Sequence, residues 1–67
     1  MLANLRAEMQ KKQITQREIA NFLNLDEKTI SKKVNEKNDF TRSEMYAIRD
    51  KFFATLDMAY LFVSDRD

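Results

Sequence analysis

The sequence predicts an all-α protein, a compact bundle of about five short helices. Apolar residues recur three and four positions apart along nearly the whole chain, and no stretch alternates as a strand does. Thr15 and Thr41 each stand three residues before a glutamate, Glu18 and Glu44, the pairing that satisfies free amides at a helix start. At 67 residues, with no internal repeat or linker, residues 1–67 form one domain near the lower size limit for a self-sufficient core.

Each element follows from its own signals. Leu2, Leu5 and Met9 share one face of a first helix near residues 2–12. Thr15 opens a second helix that turns Ile19, Ala20 and Leu23 inward. Asp26 is the next N-cap candidate and starts a short helix with Ile30 and Val34 on its inner side. Thr41 opens a fourth, with Met45, Ile48 and Phe52 inside, and Asp57 caps a last one bearing Met58, Leu61 and Phe62. Phe22, Phe53 and Tyr60 fall off these inner faces, as lone exposed hydrophobics or as parts of an association surface.

Composition excludes several chemistries. The chain has no Cys and no His, so it holds no disulfide framework, no thiolate metal site, and neither the commonest general base nor the commonest metal ligand. A chain this short has no room for a deep catalytic cleft, so no enzyme activity, metal or cofactor is expected. Nothing resembles a signal peptide or a membrane span, and the expectation is a cytoplasmic protein. Net charge is only +1, but it is polarised: residues 1–42 carry nine basic and six acidic side chains, residues 43–67 three basic and five acidic.

The basic half contains TQREIANFLNLDEKTISKKV, in which only Asn24, Leu25 and Asp26 separate the second and third helices. Two helices joined so tightly cross steeply, the helix-turn-helix geometry. Leu25 plugs the elbow, and Asn24 suits a left-handed backbone. The outer face of the third helix, over about 27–35, is then Glu27, Lys28, Ser31 and Lys32, flanked by Thr29 and Lys33. Polar side chains near the N-terminal end of a short helix after a tight turn are what insertion into a major groove requires. An ordinary solvated helix has the same look.

The segment TQREIANFLNLDEKTISKKVNEK resembles the helix-turn-helix of the Cro/repressor-like (XRE, lambda-repressor-like) family of phage and bacterial regulators, and the likeness runs through NDFTRSEMYAIRDKF to LDMAYLF. SKKVNEKNDFTRSEM is especially similar to small phage and prophage members. Where that family often has Gly, at the end of the elbow and after the third helix, this chain has Asn24 and Glu36. The resemblance implies that Gln16 meets a DNA phosphate and that Glu27, Lys28, Thr29, Ser31 and Lys32 occupy base-reading positions, Lys donating to guanine and Glu accepting from cytosine. Arg17, Lys33, Lys37 and Asn38 are candidate phosphate contacts.

The expected function is thus a sequence-specific regulator of double-stranded DNA, a phage or prophage repressor or Cro-like protein. A protein-binding adaptor or antirepressor on the same fold is the alternative, favoured by modest charge and by Glu27, whose carboxylate repels phosphate. Expected partners are a DNA operator and a second copy in a weak homodimer, formed through Phe53, Tyr60, Phe62 and Val63. No membrane and no small-molecule ligand are expected.

Overall fold

The structure, a computed structural model, describes residues 1–64; Asp65, Arg66 and Asp67, part of the negative balance of the C-terminal third, lie outside the described residues. Five helices and no strand make up the described residues: α1 (Ala3–Lys12), α2 (Gln16–Leu23), α3 (Glu27–Val34), α4 (Arg42–Phe52) and α5 (Met58–Leu61). The expected third helix ends one residue early, because Asn35 already leaves helical geometry. None of the described helices is long and apolar enough to cross a membrane.

The periodic residues converge on one core of Leu2, Leu5, Met9, Ile19, Ala20, Ile30, Val34, Phe40, Ile48, Phe53 and Leu61. Leu23, Leu25, Met45, Phe52 and Phe62 pack around its edge. α2 packs chiefly on α3 and also touches α4, while α5 closes the bundle against α1 and α4. The chain's start is stitched to the end of α3 by the Leu2 amide, which donates to the Val34 carbonyl at 2.8 Å. At the other end of α1, Lys12 Nζ donates to the Phe52 carbonyl at 3.1 Å, placing a cation on the negative end of α4.

Both capping boxes form. The Glu18 amide donates to Thr15 Oγ1 at 3.1 Å while the Thr15 amide donates to Glu18 Oε1 at 3.0 Å. Thr41 and Glu44 repeat the exchange at 3.1 and 2.9 Å. Asp26 and Asp57 do occupy the N-cap positions of α3 and α5, but neither side chain bonds the first turn.

The ends of α1, α2 and α3 follow one plan without a single glycine. Gln13, Asn24 and Glu36 sit at φ of 57°, 59° and 62°, in the left-handed region. After each, the next amide reaches back to the last turn: Ile14 to the Met9 carbonyl at 2.8 Å, Leu25 to Ala20 at 2.9 Å, Lys37 to Lys32 at 2.8 Å. This is the Schellman closure, and a side chain other than Gly or Asn in that conformation costs about 1 kcal/mol.

Phe53 departs from expectation. Periodic extrapolation put it outside the bundle, but α4 stops at Phe52, and the extended φ of −139° at Phe53 swings its ring inward, where it is wholly buried. It belongs to the core and is not available to a second copy.

Gln13 is exposed, so its left-handed geometry can be tested without disturbing packing. Gln13→Gly is expected to stabilise the fold by about 0.5–1 kcal/mol, net of the extra freedom glycine brings to the unfolded chain. Thermal unfolding followed by circular dichroism should show a rise of several degrees; a fall would contradict the cap assignment.

Candidate nucleic-acid interface

The α2–α3 elbow decides which side of α3 faces out. Leu25 is drawn into the core's edge and Ile30 and Val34 are wholly buried, so the opposite side of α3 is left to solvent. Lys28 and Lys32 are exposed there, with Thr29 and Ser31 half-buried beside them, while Glu27 is exposed in the first turn, at i−3 and i−7 from Ile30 and Val34 and so on their side of the helix. Lys28 and Lys32 stand four residues apart, one above the other on the same stripe. Ser31 is engaged from within: Asn35 Nδ2 donates to its carbonyl at 2.9 Å and lies 3.4 Å from its Oγ. The hydroxyl hydrogen keeps its freedom to donate outward.

The turn at Glu36 brings two further candidates to this end of α3. The Lys37 and Asn38 amides both donate to the Lys32 carbonyl, at 2.8 and 3.3 Å, so the chain folds back over the last turn with both side chains exposed. Gln16 and Arg17 occupy the first turn of α2, half-buried and exposed respectively. Glu18 Oε1 already satisfies the Thr15 amide there, and Thr15 Oγ1 the Glu18 amide.

Lys33 is a different case. Expected against phosphate, its side chain is only 12% exposed and donates to Glu44 Oε1 at 2.6 Å, with its amine 5.7 Å from the centre of the Phe40 ring. One oxygen of Glu44 thus takes both the Thr41 amide and the Lys33 amine, tying α3 to the first turn of α4. Burial pushes the Glu44 carboxyl up, but the hydrogen bonds from Lys33 and Thr41 together with the Lys33 charge outweigh it and hold its pKa below the usual value. Lys33 is a strut of the fold. Sequence spacing shows Glu44 as a cap but carries no sign of its partner eleven residues upstream.

The C-terminal candidates also divide. Tyr60 is partly exposed, but its hydroxyl donates to Glu8 Oε2 at 2.8 Å and its carbonyl accepts from Asn4 Nδ2 at 3.0 Å, fastening α5 to α1. The Tyr60 hydrogen bond, with Lys11 beside it, outweighs burial and lowers the Glu8 pKa; the same bond to Glu8, together with burial, raises that of Tyr60. Phe62 is half-buried, its ring edge-on to Phe40 at 5.6 Å, and Val63 is 49% exposed. Two exposed residues on α4 went unremarked in the sequence: Tyr46, with the Arg49 guanidinium 5.7 Å from its ring, and Arg42 in the first turn. Phe22, also exposed, rests edge-on against Phe52 at 5.6 Å.

No family model, no curated protein and no solved structure matches the chain.

Two outcomes follow from these ties. Lys33→Ala leaves the partly buried Glu44 carboxylate without its cation and should cost about 1–3 kcal/mol in denaturant unfolding. The folded-state pKa of Glu44 is depressed, so its contribution is present above the ordinary value of about 4.5 and is lost as pH falls through the folded value. The mutant should therefore lose less stability than the parent between pH 5 and about pH 3; equal losses would show the tie to be idle. For the Glu8–Tyr60 pair, Glu8 is depressed and Tyr60 raised, so its contribution spans the range above about 4.5 and below about 10. Tyr60→Phe should lower the melting temperature at pH 7 and raise the Glu8 pKa in an NMR titration; an unmoved Glu8 would deny the bond.

Proposed function

We propose that the chain is a sequence-specific double-stranded DNA-binding regulator, of the phage or prophage repressor or Cro-like kind, working in the cytoplasm of a bacterial host. The observation that carries the reading is the exposed stripe of α3, Lys28 and Lys32, with Glu27 exposed in the first turn, set out by a three-residue elbow whose Asn24 is left-handed. α3 enters the major groove as the recognition helix of a helix-turn-helix. Lys28 and Lys32 donate to guanine edges, Glu27 accepts from cytosine, and Thr29 and Ser31 make the closer methyl and hydroxyl contacts. Gln16 and the free amides of the first α2 turn hold one phosphate, and Arg17, Lys37 and Asn38 hold others. Lys33 has no part in this, since Glu44 holds it. An eight-residue helix reads few base pairs, so specificity comes from two copies on half-sites about one turn apart.

A second reading is favoured by one feature. Asp26 and Glu27 put two carboxylates at the head of α3, which suits docking to a protein better than to phosphates. Salt separates the readings: binding to random duplex should weaken steeply between low and moderate salt for a DNA reader, whereas an adaptor shows no such binding.

Lys28→Ala and Lys32→Ala should each cost about 1–3 kcal/mol on a specific site and relax preference at one or two positions. Gln16→Ala should weaken all sequences alike, and Lys33→Ala should change stability more than DNA preference. Fluorescence anisotropy on a panel of duplexes measures all four; Lys32→Ala with affinity and preference intact would overturn the placement of α3.

A further inference from the structure

A cleft of about 320 Å³ opens between the start of the chain, the α3–α4 connection and the segment after α5. From the sequence no small-molecule ligand is expected, because the lining of this cleft is scattered along the chain and only the packed bundle assembles it. Leu2, Phe40, Met45 and Phe62 make the wall apolar, with the rings of Phe40 and Phe62 edge-on at 5.6 Å. Three charged residues also line it, Lys33, Glu36 and Asp39. Two of them are answered within the molecule. Lys33 donates to Glu44 Oε1 at 2.6 Å, while Glu36 faces the Met1 ammonium at 3.8 Å and accepts from the Ser64 hydroxyl at 2.8 Å. Asp39 is exposed, and among the described residues no ion pair or side-chain hydrogen bond engages its carboxylate. The cleft is thus an aromatic-walled recess with one unanswered negative charge.

We propose that this cleft binds a small amphipathic organic cation, a primary ammonium on an aromatic or branched alkyl body. The apolar wall covers the body, and the Asp39 carboxylate accepts a charge-assisted hydrogen bond from the ammonium. The cavity is near the lower end of ligand-site volumes, about 300 Å³, which limits the body to one ring or a short chain. An anion of the same shape is disfavoured, since it meets the carboxylates of Asp39 and Glu36 while the lining lysine is held by Glu44. The same pairing keeps Lys33 from opposing a cation strongly. Because Asp39 is exposed, solvent screens the attraction, so affinity is modest and falls with salt. The occupant touches the end of α3, α4 and the segment after α5 at once, and a ligand held only by the folded chain raises its stability. Of the residues assigned to DNA, only Asn38 lines the cleft, so the site stands apart from the α3 stripe.

The test titrates the isotope-labelled full chain with phenethylammonium and follows its amide resonances, with neutral phenethyl alcohol and anionic hydrocinnamate as controls of similar shape. The expected result is saturable shifts concentrated at Leu2, Glu36, Asp39, Phe40 and Met45. The amine should bind about two- to fivefold tighter than the alcohol, the worth of one exposed charge pair, and tighter again than the anion. Its melting temperature should climb with amine concentration. Asp39→Asn, at an exposed position, should melt as the parent does and bind the alcohol equally, while its affinity for the amine falls to that for the alcohol. High salt should close the same gap in the parent. Shifts that do not saturate at tens of millimolar, an amine no tighter than the alcohol, or a preference that survives Asp39→Asn overturns the proposal. No DNA enters the test, so its failure leaves the proposed function untouched.

Discussion

One left-handed residue sets the relation on which the outer surface depends. With Asn24 at φ 59°, α2 ends, the Leu25 amide closes back on Ala20, and Leu25 turns toward the core. α3 then starts three residues later with Ile30 and Val34 already facing inward. A longer or looser connection would let α3 rotate, and a rotation of one residue, about 100°, would carry Lys28 and Lys32 off the solvent side. The same closure ends α1 at Gln13 and α3 at Glu36, so a chain without glycine makes three compact reversals by accepting backbone geometry that most side chains avoid.

The fold then sorts charges that look equivalent in the sequence. Lys28, Lys32 and Lys33 lie within six residues, yet only Lys33 is drawn down, where Glu44 and the Phe40 ring receive it. That contact fixes the start of α4 against α3, and so stiffens the helix that presents the other two. Glu8 and Tyr60 do the corresponding work between α1 and α5. Neither tie is a surface ornament: each joins elements that share few other polar contacts, and each leaves the groups on the α3 stripe free to meet a partner.

Local signals were legible because their physics is local. The spacing of Leu2, Leu5 and Met9, and of Ile30 and Val34, announces the buried sides, and the two Thr-x-x-Glu boxes announce helix starts to the residue. Asn24 was legible as a left-handed site from its chemistry; Gln13 was not, since nothing in a glutamine favours that geometry. Phe53 was misplaced because helical periodicity was carried one residue beyond the helix. Lys33 and Tyr60 were read as surface groups because their partners, Glu44 and Glu8, lie 11 and 52 residues away, and only the packed bundle brings them within reach.

The central claim, that the stripe on α3 reads base sequence, is tested most directly by selecting bound duplexes from a random library. The account predicts enrichment of a short motif repeated in inverted orientation, its two halves centred about ten base pairs apart. Recovery of duplexes with no common motif, or of none above background at low salt, would contradict it.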